Sequence, residues 1–235
     1  MHRVTETTTD SGGVIEDHPA VHIMRGQLSY DAFESTLAYL ETLNENNASV
    51  YSLDNITGIQ TFVDYHHPSM KLYCEELEKS VSEYVMHCAD PLNPKFQSKL
   101  ERTIYIQDCW CIKMNKNDYI PMHSHRTEAK TGVSTVTYFK LPEKLLDPNN
   151  PNRPENLEQQ QYSSMGGGLS FSWPGIHSST MEDDVNPSNA RHIYPELGAF
   201  WIFPKCLSHT ALPYRYEGDR WSVASNWNVF LPDGR

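Results

Sequence analysis

The sequence predicts an α+β chain that is mainly β, with helices in its first part and a barrel or jelly roll in its second. Two changes of texture carry this prediction. Before about residue 95, apolar residues recur twice at helical spacing, until Pro91 and Pro94 interrupt the pattern. After Phe96, short β-branched and aromatic runs alternate with Gly, Pro and Asn clusters, as in many short strands joined by turns. Helices followed by strands give an α+β arrangement.

Residues from Met1 to Asp17 are polar and threonine-rich, and the expectation is a disordered tail. In the stretch Ser29–Leu43, Phe33, Leu37, Leu40 and Leu43 fall on one helical face, with Ser29 as the cap. A second helix is expected over Pro68 to about Cys88, with Leu72, Cys74, Leu77, Val81 and Val85 on its buried side. The strands expected are Thr103–Ile112, Ile120–His125, Gly132–Lys140, Gly168–Ser172, Phe200–Phe203, Ser208–Pro213 and Trp221–Phe230. Leu145–Ser164 and Pro174–Asn189 are polar and proline-rich, and read as long exposed loops. Residues 18–235 are thus expected to form a single domain, with a helical part over about 18–95 and a β core over about 96–235.

Composition narrows the function. Of the 235 residues, 38% are hydrophobic and 21% charged, which is ordinary for a soluble globular chain. No apolar run reaches the roughly 18 residues of a membrane span, and the N-terminal stretch lacks a signal peptide's apolar core, so a cytoplasmic location is expected. The net charge of -11 weighs against a broad nucleic-acid surface, which needs clustered Lys and Arg. The five cysteines read as free thiols. Cys109 and Cys111 share a strand face, but no second pair completes a zinc site, so buried strand cysteines are the better reading.

The densest chemical signal is Pro121-Met122-His123-Ser124-His125. On a strand, residues two apart face the same way, so both imidazoles project into one space and suit a first-row transition metal. Gly198-Ala199-Phe200-Trp201-Ile202-Phe203-Pro204 then builds a rigid aromatic platform ahead of His209, a candidate third ligand. Arg220 follows eleven positions later; it shares a strand face with Ser222, and the pair could grip a carboxylate. His66 and His67 read as the polar start of a helix, and His87, His177 and His192 as surface or core residues without a spaced partner. Trp173, Trp201 and Trp227 suit either a pocket lining or a core.

The order His123-x-His125, then the run from Thr131 to Glu143 (TGVSTVTYFKLPE), resembles the iron(II)- and 2-oxoglutarate-dependent oxygenases. Within them it is most similar to an HxH-containing branch found in marine bacteria and bacteriophages. That branch carries a Trp-bearing strand, here Cys109-Trp110-Cys111, and ends in Gly-x-Phe-x-x-Phe-Pro, a histidine, Arg220-Trp221-Ser222 and Asn226. The resemblance covers Thr103 to Phe230 and implies a double-stranded β-helix (jelly-roll) core. It implies iron bound by His123 and His209, and Arg220 with Ser222 on the distal carboxylate of 2-oxoglutarate. Tyr138 either adds a hydroxyl to that carboxylate or is a core aromatic. His125 stands where the wider superfamily carries Asp or Glu; it is expected to be a ligand, with water or an acid such as Glu128 as the alternative.

The function so implied is a hydroxylase-type dioxygenase using Fe(II), 2-oxoglutarate and O2 on a small molecule or a protein side chain. The two long loops become candidates for a substrate lid, and pairing through the N-terminal helices would make a homodimer. Two alternatives stay open: a three-histidine cupin-like dioxygenase that needs no 2-oxoglutarate, and a non-catalytic jelly-roll binding module.

Overall fold

The computed structural model describes residues 5–18, 21–43, 58–88, 103–125, 132–150, 166–173 and 190–230. Their strands form two antiparallel sheets. The large sheet has eight strands in the order β1 (Thr5–Thr8), β2 (Val14–His18), β3 (Val21–Gln27), β10 (Ala199–Pro204), β7 (Gly132–Lys140), β12 (Arg220–Phe230), β5 (Thr103–Met114) and β4 (Ile59–Phe62). The small sheet has four, in the order β6 (Ile120–His123), β11 (Ser208–Ala211), β8 (Leu169–Ser172) and β9 (Ala190–Ile193). This is the mainly β, jelly-roll architecture the sequence predicts.

The large sheet is covered on both faces, which is why its central strands read as near-continuous apolar runs. Alternation along each strand divides the core. Phe139 of β7 and Phe200 and Ile202 of β10 pack with the helices, whereas Tyr138, Trp201 and Phe203 face the small sheet. Cys109 and Cys111 are fully buried on the helix side, away from the histidines, and burial pushes the Cys111 thiol up to about 12. They are core residues, as are Trp173, Trp201 and Trp227.

Helix α1 (Tyr30–Thr42) is capped as expected, the Ser29 hydroxyl accepting from the Ala32 amide at 3.2 Å. A 3-10 turn, Pro68–Met70, leads into α2 (Lys71–Cys88), and His67 Nδ1 accepts from the Ser69 amide at 3.2 Å. The buried face of α2 is Tyr73, Leu77, Ser80, Val81 and Tyr84, while Leu72 is 41% exposed and does not belong to it. Tyrosines carry this face because their hydroxyls find partners inside: Tyr73 meets Thr137 Oγ1 at 3.3 Å and Tyr84 donates to the His22 carbonyl at 2.7 Å.

Three expectations are corrected. The stretch expected as a disordered tail contributes β1 and β2, and the part expected to be helical contributes β3 and β4. Thr5–Thr8 is exposed at every position, a polar edge strand whose composition mimics disorder. The expected loop from Leu145 begins inside a short helix, α3 (Glu143–Leu146), with Leu145 buried. The remainder of that loop from residue 151, together with Pro174–Asn189 and Glu128, lies outside the described residues. No helix among the described residues is long and apolar enough to cross a membrane.

Candidate metal and co-substrate site

The small sheet builds one wall of the site. In the β6–β11 ladder His209 pairs with His123, and their ring centroids are 4.3 Å apart. His125 follows two residues beyond His123, with its ring 5.2 Å from His123 and 5.0 Å from His209. Its backbone amide donates to the Lys205 carbonyl at 2.9 Å, which holds the end of β6 against the turn after β10. One ring nitrogen from each histidine lies within 4.8 Å of the others.

Local hydrogen bonds set the tautomers. His123 Nδ1 lies 2.8 Å from the Pro121 carbonyl and His209 Nδ1 lies 2.9 Å from the Leu207 carbonyl. A carbonyl can only accept, so each Nδ1 carries a proton and Nε2 is the nitrogen placed to meet a metal. His125 Nε2 is buried without a hydrogen-bond partner among the described residues. Burial, reinforced by His123, holds the His209 imidazole down to about 3 and that of His125 to about 4. Both are therefore neutral near pH 7, the form that ligates metal. Aromatic rings fix the imidazoles in place: Phe203 meets His209 edge-on at 4.9 Å, and Trp110 stacks on His125 at 5.7 Å.

The large sheet builds the opposite wall. Ser222 of β12 is the register partner of Tyr138 on β7, and Arg220 lies two residues before it on the same face. Arg220 is 1% exposed, yet no carboxylate among the described residues lies within ion-pair distance of it. Its guanidinium donates to the carbonyls of Gly167 and Leu212 and turns one nitrogen toward Met114 Sδ, and its Nε has no partner among the described residues. The Tyr138 hydroxyl is likewise buried without a partner among the described residues, and burial pushes it up to about 12, so it stays a neutral donor.

The six candidate site residues, His123, His125, Tyr138, His209, Arg220 and Ser222, all line one cavity between the two sheets. A buried cation without an anion costs several kcal/mol, and a bound carboxylate would remove that cost while accepting from the phenol. The residues present therefore fit a metal ion at one end and an anionic co-substrate at the other. Sequence reasoning missed the role of Trp110, marked only as part of a strand; its alternation with the buried Cys109 and Cys111 already put it on the opposite, inner face. It also missed the Asp17, His22 and His87 cluster, having read His87 as partnerless.

A jelly roll with three clustered histidines facing, across one cavity, a buried arginine that has no ion-pair partner among the described residues has the makings of a mononuclear metal oxygenase. The chain belongs to the 2OG-Fe(II) oxygenase family, whose profile matches residues 108–226. Its cofactor and co-substrates are iron(II), 2-oxoglutarate and O2.

Among solved structures, a Pseudomonas putida prolyl-4-hydroxylase is similar at 14% identity and a TM-score of 0.52, over 87% of this chain and 90% of its own. A Trichoplax adhaerens prolyl hydroxylase, in complex with a hypoxia inducible factor peptide fragment, is similar at 13% identity and a TM-score of 0.53, over 91% and 85%. HygX from Streptomyces hygroscopicus, with nickel and 2-oxoglutarate bound, is similar at 10% identity and a TM-score of 0.53, over 88% and 82%. At these identities the likeness is one of fold. No curated protein matches the chain.

Proposed function

We propose that this chain is a 2-oxoglutarate-dependent hydroxylase in which His123, His125 and His209 hold iron(II), and Arg220, Ser222 and Tyr138 hold the distal carboxylate of 2-oxoglutarate. The observation that carries this reading is the fully buried Arg220, without an ion-pair partner among the described residues, in the cavity that the three imidazoles also line. The same observation favours a 2-oxoglutarate enzyme over a three-histidine dioxygenase without co-substrate, and over a non-catalytic module.

Bound iron supplies the chemistry that couples conversion of 2-oxoglutarate and O2 to succinate and carbon dioxide with oxidation of a C–H bond. The protein supplies position. The imidazoles of His125 and His209, held neutral by burial, offer lone pairs without first losing protons, and Trp110 and Phe203 fix their rings. Arg220 and Tyr138 orient the co-substrate so that its oxo-acid end points at the histidine wall, and the apolar lining of Ile112, Leu169 and Ala224 keeps the cavity dry. Three imidazoles leave a metal more positive than two imidazoles and a carboxylate would, which favours an anionic co-substrate. The His-x-His spacing supports placement in the HxH-containing branch of the superfamily. The substrate proposed is a small molecule or a protein side chain, handled by one oxygenase domain that includes β1 and β2.

Anaerobic titration of the metal-free protein with iron(II) and 2-oxoglutarate tests the proposal. A weak visible charge-transfer band should need both components and vanish in Arg220→Ala and His209→Ala. A protein that gives no band and binds only zinc would refute it.

A further inference from the structure

We infer that Asp17, His22 and His87 form a second metal site, for a zinc-like divalent cation, which ties the N-terminal hairpin to the end of helix α2. The inference is independent of the proposed oxygenase centre, since it uses none of that centre's residues. The three side chains come from β2, β3 and the last turn of α2, and one ligand atom from each lies within 4.8 Å of the others. Asp17 Oδ1 is 2.6 Å from His22 Nδ1 and 2.8 Å from His87 Nε2.

Two imidazoles and a carboxylate are a common donor set for zinc, with a fourth position left to water. The site is half-open to solvent, with the His22, Asp17 and His87 side chains 41%, 23% and 25% exposed, so an ion can enter.

The fold pre-organises the donors. Asp17 and His22 are register partners in the β2–β3 hairpin, so their side chains rise from the same face. Thr5, the partner of Asp17 on the other side, donates its hydroxyl to Asp17 Oδ2 at 3.3 Å and leaves Oδ1 to the imidazoles. One turn before His87, Tyr84 donates to the His22 carbonyl at 2.7 Å, which docks the helix end on the start of β3. His87 itself sits in the last turn of α2, where the helix's unsatisfied carbonyls favour a positive charge.

Without metal, the carboxylate oxygen accepts a hydrogen bond from each ring. A cation with bonds of about 2.0 Å would replace those two protons after the donors spread by roughly half an ångström. That movement is small for side chains at a partly exposed hairpin.

Equilibrium dialysis of the full chain against zinc, followed by metal analysis, separates this site from the three-histidine cavity. Wild-type protein should hold two zinc ions per chain, and a His123→Gln/His209→Gln variant should keep one. Adding His87→Gln to that variant, which leaves a side chain able to hydrogen-bond Asp17, should weaken the remaining zinc at least tenfold. It should also abolish the zinc-induced rise in melting temperature. Asp17→Asn provides the same reading should the glutamine variant fail to fold. A His123→Gln/His209→Gln protein that binds no zinc, or whose zinc survives both His87→Gln and Asp17→Asn, overturns the inference.

Discussion

His209 stands directly opposite His123 in the β6–β11 ladder, with ring centroids 4.3 Å apart and planes inclined by 52°. Their convergence is a matter of strand register, and a slip of one residue would turn one imidazole to the other face of the sheet. His209→Gln should therefore remove a metal donor while leaving the ladder intact. The expected loss of iron affinity exceeds the roughly 10- to 100-fold typical of losing an outer partner of a ligand. Iron retention after dialysis, with circular dichroism as a check on folding, measures it.

Arg220 gives a prediction with two opposed parts. Arg220→Met keeps much of the side-chain volume but removes a buried charge that has no anionic partner among the described residues. Losing one side of a buried charged contact costs about 2–5 kcal/mol of binding, so the 2-oxoglutarate requirement should rise by roughly 30-fold or more. The co-substrate-free protein, in contrast, should not be destabilised, because an uncompensated buried charge is gone. Melting curves with and without 2-oxoglutarate report both: at one ligand concentration the transition of wild type should rise clearly more than that of Arg220→Met. A variant that melts lower and responds normally to ligand would mean that Arg220 is structural.

The strands that carry the site were legible because each is a short apolar run ended by turn residues. Gly132–Lys140 matches its expected bounds, and the other six expected strands agree within three residues at either end. The strands that were missed are those whose residues obey a neighbour instead of local propensity. β3 contains Gly26, which reads as a breaker, but a Cβ there would lie 2.1 Å from the Phe200 ring, so contact with β10 requires glycine. β1 and β2 are short and polar, and only pairing along the sheet defines them. Within the site, the histidines and Arg220 showed in the spacing of the chain. The stacking of Trp110 on His125 did not, since it depends on how β5 lies against the end of β6.

Tyr138 separates positioning from packing. Its hydroxyl is buried without a partner among the described residues, so Tyr138→Phe removes an unmet hydrogen-bonding group and should leave stability equal or slightly raised. If the hydroxyl donates to the co-substrate, the same change should cost about 0.5–1.5 kcal/mol of binding, up to roughly tenfold in apparent affinity. That loss should be constant across neutral pH, because burial keeps the phenol protonated up to about 12. Calorimetric titration with 2-oxoglutarate checks the binding, and an unchanged affinity would leave Tyr138 a core aromatic.

The metal-free protein should lose stability as pH falls from about 6.5 toward 4, and the sign follows from the two deepest histidines. Burial holds His125 down to about 4 and His209 to about 3, against 6.5 for an unperturbed imidazole. Between those values the unfolded chain takes up protons that the folded site refuses, so each histidine weakens folding by up to about 1.4 kcal/mol per pH unit. Carboxylates held low by hydrogen bonds, such as Asp17 and Glu83, act at lower pH, while Asp108, held up by burial, and His192, held down by it, are common to wild type and variants and cancel in the comparison. Denaturant midpoints measured with chelator from pH 7 to 4.5 should fall more steeply for wild type than for His125→Gln or His209→Gln. Equal slopes would mean that the imidazoles protonate freely in the folded state, and that the cavity is wetter than its lining implies. Bound iron should raise stability across this window and leave the onset near 6.5, which the unfolded imidazoles set, while extending the loss below about 4, because metal and proton compete for the same nitrogens.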